Sequence, residues 1–140
     1  MTYEAQQALI DKIRGDIYEF KTVTNSSFSP DERVIEDQTP AVCIVPSETS
    51  YESGIGYLIA HDHYEIHVIV QHEKNDNDHQ RTEIIAGELL HKIFTSIVNY
   101  SPEFSSDVFT PVKRLRPQYF ETEGFAVFTV VVKIKTFSDI

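Results

Sequence analysis

Apolar side chains near the start of the chain follow a helical spacing. They recur at intervals of three and four residues, with charged residues between them: Ile10, Ile13, Ile17 and Phe20. This spacing places the apolar side chains on one face, so we predict an amphipathic helix over residues 4–21. Residues 22–40 are rich in Thr, Ser, Asn, Asp and Pro, which predicts a long connection with at most a short strand at residues 33–35.

The middle of the chain carries two patterns that are typical of strands. Residues 41–45 form a short apolar run between two prolines, as expected for a strand that is covered on both faces. Residues 64–71 alternate with a period of two, as a strand with one fully buried face does. We predict a β-hairpin in which residues 57–60 lead, through a reversal at residues 61–63, into the stronger strand.

The second half of the chain predicts a long helix and a long strand. Residues 79–99 carry a broad apolar face, which indicates the central helix on the sheet: Ile84, Ile85, Leu89, Leu90, Ile93, Phe94, Ile97 and Val98. Residues 111–117 have a weaker strand pattern, and residues 125–136 a strong one. The second face of this last strand changes from apolar to cationic at Lys133 and Lys135, as partial covering by another subunit would explain.

The order of these elements predicts the fold class. Helices and strands are segregated, so we predict an α+β fold, with a mostly antiparallel or mixed β-sheet packed by two main α-helices. The 140 residues, 41% of them hydrophobic, suffice for a single domain over residues 1–140.

Charge and cysteine content exclude several functions. Twelve basic against 22 acidic residues give a formal charge of −10, which disfavours binding to a nucleic-acid backbone. Cys43, the one cysteine, cannot form an internal disulfide, and its apolar neighbours indicate core packing. No apolar run approaches the roughly 18 residues of a membrane span, and the N-terminus lacks signal-peptide features. We therefore expect a protein of a cytoplasm-like compartment that binds no membrane.

Three histidines and a glutamate are the first candidates for chemistry. They share one face of the predicted hairpin: His61, His63, Glu65 and His67. A cupin-like metal site would need a carboxylate beyond the His-x-His pair, and Glu65 falls too early. We interpret this face as the solvent-facing half of the hairpin and predict no catalytic residue, metal or cofactor. A small metal-binding enzyme that uses His61, His63 and His67 is the alternative.

Charged and aromatic residues outside the predicted core are candidates for partner contacts. A polar loop over residues 72–79 is acidic, and a short basic cluster at residues 113–116 is typical of a solvated edge strand or of a salt-bridging patch for a neighbouring subunit. Aromatic residues near irregular segments close the core or anchor a partner. The candidate partner-facing or channel-facing residues are Glu73, Lys74, Asp76, Asp78, Lys113, Arg114, Arg116 and Phe120.

The element order resembles that of the tail terminator proteins of long-tailed bacteriophages, also called minor tail or tail completion proteins. The resemblance covers residues 4–136. It is carried by the opening helix, the apolar strand at residues 40–46, the strand at 64–71, the helix at 83–98 and the closing strand at 125–136. It lies in element order and hydrophobic pattern, and no catalytic motif contributes to it.

The resemblance implies a structural role in a virion. The family implies a homo-oligomeric ring, expected to be a hexamer, that binds the end of the tail tube, ends its polymerisation and offers a surface to head-completion or neck proteins. DNA would pass through the channel without specific binding, and acidic residues near 73–78 would repel its phosphates. Localisation would be the tail or neck of a virion assembled in the host cytoplasm. Another head-tail connector or head-completion adaptor is the alternative.

Overall fold

A computed structural model describes residues 2–26, 35–73, 79–102 and 107–139. These residues form three helices: α1 (Thr2–Asp16), α2 (Ile35–Gln38) and α3 (Gln80–Ile97). They also form six strands: β1 (Thr22–Thr24), β2 (Ala41–Gly54), β3 (Tyr57–Gln71), β4 (Thr110–Arg114), β5 (Gln118–Phe120) and β6 (Phe125–Asp139). Three candidate residues of the polar loop, Lys74, Asp76 and Asp78, lie outside the described residues.

The described strands form one mixed sheet. Its order is β1-β2-β3-β6-β4, and β5 also pairs with β6. β1 is parallel to β2, and the other pairs are antiparallel. β3 and β6 pair along their whole length, from Tyr57 opposite Asp139 to Gln71 opposite Phe125. The predicted α+β fold, with a mixed sheet and two long helices, is confirmed.

The main core lies between the sheet and the two long helices. The predicted stripe of the first helix is buried there, although α1 already ends at Asp16 and its last two members follow the helix. The sheet contributes the even-numbered residues of its two longest strands: Tyr64, Ile66, Val68, Val70, Ala126, Phe128, Val130, Val132 and Ile134. The predicted alternation of these strands is therefore confirmed.

The opposite face of the sheet holds a second, smaller apolar cluster. Ala41, Cys43, Ile69 and Phe125 are buried together there, with Val127 packed against them. Because Val42 and Ile44 belong to the main core, this stretch of β2 is covered on both faces as predicted. The predicted core position of Cys43 is also confirmed.

The predicted reversal within the hairpin is wrong. β3 continues through residues 61–63, and the chain turns earlier, at Ile55 and Gly56. Gly56 has a φ of 80°, a conformation that glycine adopts without strain. β2 also runs past Pro46 instead of ending there, because a register shift between Pro46 and Thr49 accommodates the residue that lacks an N–H group.

The predicted long connection contains two short elements. Residues 22–24 form β1, because the sequence Thr-Val-Thr is β-branched throughout and favours an extended backbone. Ile35 opens α2 instead of closing a strand, and residues 33 and 34 lie outside the described residues.

The apolar face of the second long helix is narrower than predicted. Ala86, Leu89, Leu90, Ile93 and Ile97 are buried. The side chain of Ile84 is 55% exposed, and Ile85 and Val98 are exposed as well. The helix therefore leaves apolar surface uncovered beside the core.

Candidate functional site

The paired ends of the three longest strands form a largely exposed segment, which we call the arm (residues 47–61 and 135–138). None of its residues is buried, yet it carries large apolar side chains: Tyr51, Ile55, Tyr57 and Phe137. The rings of Tyr57 and Phe137 stack with their centroids 6.1 Å apart. Glu48 and Glu52 add negative charge. Clustered apolar side chains on an exposed surface are typical of partner contacts.

A groove of about 360 Å³ lies between α3 and the strand β4 at the edge of the sheet. Its apolar lining comes from both elements and from β6: Leu90, Phe94, Pro111, Val112 and Val130. Lys113 and Arg114 also line it. All five residues of β4 are exposed, so this edge offers backbone groups as well as cations to a partner.

The basic candidate residues lie at or near this groove. The guanidinium group of Arg114 lies over the ring of Phe128, 5.7 Å from its centroid. Arg116 follows β4 and is exposed. The contact with Phe128 holds Arg114 against the core, whereas Lys113 and Arg116 remain on the surface.

The other described candidates, Glu73 and Phe120, lie elsewhere. Glu73 is exposed and forms an ion pair with Arg81 in the first turn of α3, with 3.4 Å between Oε1 and Nη1. Phe120 stacks on Phe125 with ring centroids 4.7 Å apart and is about one-third exposed. The structure thus brings Lys113 and Arg114 together at the groove. Arg116 lies beyond the end of β4, and Glu73 lies apart from the groove, where it contacts the first turn of α3.

The histidines of the β3 face each have a different partner. Nε2 of His61 lies 2.6 Å from Glu52, and Nδ1 of His63 lies 3.1 Å from the carbonyl oxygen of residue 61. Nδ1 of His67 lies 2.8 Å from Oγ1 of Thr129. Within the described part of the chain, the three imidazoles do not join in a group that could hold a metal.

Acidification is expected to destabilise the fold through His67. Partial burial lowers the pKa of His67, and the nearby carboxylate of Glu65 only partly opposes this. In the unfolded chain the pKa of His67 is about 6.5. As the pH falls below this value, His67 is protonated in the unfolded chain but stays neutral in the folded one, so the free energy of unfolding decreases until the pH reaches the folded pKa. In urea titrations, His67→Gln should lose less unfolding free energy than the wild type between about pH 7.5 and about pH 5.5. Equal losses in the two proteins would contradict this assignment.

A different cluster of possible metal ligands lies at the other end of β3. His72 follows the strand, His79 precedes α3, and Glu121 opens the turn between β5 and β6. One ligand atom from each lies within 4.8 Å of the others. Nε2 of His79 is 2.7 Å from Oε1 of Glu121, and Nε2 of His72 is 4.0 Å from the same oxygen.

Tyr119 holds one side of this cluster. Its ring stacks on that of His79 with a centroid distance of 3.6 Å, and its hydroxyl group donates a hydrogen bond to Glu83. Burial, with the carboxylate of Glu83, raises the pKa of Tyr119 to about 12. The phenol therefore stays neutral and serves as a packing surface for the imidazole.

Sequence reasoning missed this cluster for a physical reason. His72 and His79 flank a loop that is polar throughout, and Glu121 lies 42 residues further along the chain. No spacing rule links groups that are brought together by the pairing of β5 with β6. The detectable signal was a histidine at each end of one loop.

Comparison with known proteins finds a similarity of fold to solved structures. No protein-family model matches the chain, and no curated protein matches its sequence. A chain of the solved structure "Virion of native gene transfer agent (GTA) particle" is similar in fold, with a TM-score of 0.62 and 10% sequence identity. The match covers 97% of this chain and 96% of that chain. The two chains therefore share a fold over nearly their whole length.

Membrane-spanning helices are not found among the described residues, since none of these helices is both long and apolar enough to cross a bilayer.

Proposed function

We propose that this chain is a structural virion protein that forms a ring at the end of a phage tail tube. The ring would end tube polymerisation and offer a surface to head-completion or neck proteins. Two findings support the proposal: the element order resembles that of tail terminators, and the fold is similar, over 97% of the chain, to a chain of a virion particle. No catalytic step is part of this function.

The observation that carries the proposal is the presence of two different, complementary surfaces. The arm is apolar, with Tyr51, Ile55 and Phe137 exposed. Its two carboxylates, Glu48 and Glu52, outnumber its one lysine, Lys135, so its net charge is negative. The groove between α3 and β4 is apolar and basic, with Lys113 and Arg114 along it. We infer that the arm of one subunit binds in the groove of the next, where charge complementarity fixes its register.

This contact favours a ring over a simple dimer. A twofold dimer uses the same patch on both subunits, whereas the arm and the groove are different patches and join head to tail. Head-to-tail contacts close into rings when the rotation between subunits divides a full turn. A hexamer is the size that the family resemblance implies.

The charge balance suits a channel through which DNA passes. A formal charge of −10 makes nonspecific adhesion to phosphate unfavourable. If the ends of the polar loop, including Glu73, face the channel, repulsion keeps the DNA free to slide. The tail tube protein, the neck proteins and further copies of this chain would then be the partners, and the virion the location.

Solution mass and tube binding test the proposed function. Light scattering across a concentration series should show a species of several subunits, and negative-stain images should show rings with a central hole wide enough for DNA. Mixed with purified tail tubes, the protein should bind one tube end and stop elongation. Monomers that bind no tube end at any concentration would overturn the proposal. Binding to a portal assembly in place of tubes would assign a head-completion position.

A further inference from the structure

We propose that His72, His79 and Glu121 bind one divalent cation of the zinc class. The cation would tie the end of β3 to the start of α3 and to the turn between β5 and β6. This inference does not depend on the proposed ring, and it departs from the sequence-based expectation of no metal. It rests on the donor set, on its geometry and on one orphaned buried atom.

The donor set matches a zinc site of the three-ligand kind. Two imidazole nitrogens and one carboxylate oxygen, with a water or partner group in the fourth position, form a known zinc coordination. Bonds of about 2.0–2.1 Å at tetrahedral angles place ligand atoms about 3.3 Å apart. The three atoms here already lie within 4.8 Å of one another. Small side-chain rotations of the partly exposed His79 and Glu121 would close this distance.

The orphaned atom is Nε2 of His72. The His72 side chain is completely buried, and this nitrogen has no hydrogen-bond partner among the described residues. Glu121, at 4.0 Å, is too far for a hydrogen bond. A buried polar atom without a partner destabilises the folded state. An ion pair between His79 and Glu121 explains those two side chains but leaves His72 unexplained, whereas a cation would satisfy all three.

A second contact prepares His72 to be a ligand. Its Nδ1 lies 2.6 Å from Oγ1 of the buried Thr82. When Nδ1–H donates to this hydroxyl oxygen, the lone pair of Nε2 points toward the cluster. Metal-binding histidines usually have their second nitrogen held in this way. Tyr119, stacked on His79, fixes the orientation of the other imidazole.

Metal titration of the full chain without a polyhistidine tag tests the site. After removal of bound metal with a chelator, calorimetry with ZnCl₂ should show one site per chain, and CoCl₂ should give the visible absorption of tetrahedral cobalt. His79→Gln and Glu121→Gln should each lower the zinc affinity at least about tenfold, and Thr82→Val should lower it about 10–100-fold. At the same zinc concentration, the Tm should rise more for the wild type than for Glu121→Gln.

His61→Gln is the matched control. His61 and Glu52 form a similar, partly exposed imidazole–carboxylate contact, at 2.6 Å, and among the described residues no third ligand joins them. This variant should bind zinc with unchanged stoichiometry and affinity. The proposal is overturned if the wild type binds less than one zinc per chain at saturation, or if Glu121→Gln and His61→Gln weaken binding equally. Circular dichroism of each variant confirms that it is folded.

Discussion

Replacing Phe128 with alanine is expected to lower the free energy of unfolding by about 3–5 kcal/mol. The ring is completely buried in the main core, where it meets Tyr119 edge to face at 5.9 Å. Its strand, β6, is paired on both sides, so the backbone has little freedom to collapse into the cavity. A loss of this size is a large fraction of the roughly 5–15 kcal/mol that stabilises a typical domain.

Phe137→Ala on the same strand is the control for this prediction. Phe137 is 62% exposed in the arm and, within the described part of the chain, stacks on Tyr57 alone, so its loss should cost less than about 1.5 kcal/mol. Urea unfolding of both variants, at a concentration where the wild type is monomeric, gives the two values. Similar losses in the two variants would contradict the division of β6 into a core part and an arm part.

If the arm of one subunit binds the groove of the next, as we propose, reversing the charge of the groove is expected to abolish ring assembly. In Lys113→Glu/Arg114→Glu, the acidic arm of one subunit would meet an acidic groove on the next. Juxtaposed like charges cost on the order of several kcal/mol, which is roughly a hundredfold or more in affinity. Light scattering should therefore find monomers at concentrations where the wild type forms rings. Both positions are exposed, so the variant should remain folded.

A compensating change distinguishes a specific contact from a general charge effect. Adding Glu48→Lys/Glu52→Lys to the same chain restores opposite charges across the contact and should restore the rings. Arg14→Glu/Arg81→Glu makes the same total charge change at residues that do not line the groove, and should leave assembly intact. If this control also disrupts the rings, or if the compensating pair fails to rescue them, the arm-in-groove contact is wrong.

Periodicity predicted the parts of the fold that are dictated by one buried face. The stripe around Ile13 and the alternation along β3 and β6 came directly from the order of apolar and polar residues, because burial on one side leaves a period in the sequence. The arm broke this rule. The inward position between His61 and His63 is Asp62, which is buried although it is charged, so the apolar alternation of the sequence did not extend into this part of β3.

The candidate sites were predictable only in part. The basic residues of β4 are neighbours in sequence, so their clustering on an edge strand was visible as a short run. Their groove was not, because its other wall is α3. The cluster of His72, His79 and Glu121 depends on a contact between the end of β3 and the β5–β6 turn. There the backbone N–H of His72 donates a hydrogen bond to the carbonyl oxygen of Gly124. Such long-range contacts leave no local signature.

The register shift in β2 divides this strand into two parts whose inward and outward positions differ. Between Pro46 and Thr49, two residues of β2 stand opposite the single residue His63 of β3, so the phase of inward and outward positions changes there. Even-numbered residues such as Ile44 face the helices before the shift, and odd-numbered ones such as Tyr51 lie on that same side beyond it. Insertion or deletion of one residue here would turn over the β2 side of the arm and leave the core in place. A change of one residue at this point can thus alter the surface that the arm exposes without altering the core that carries it.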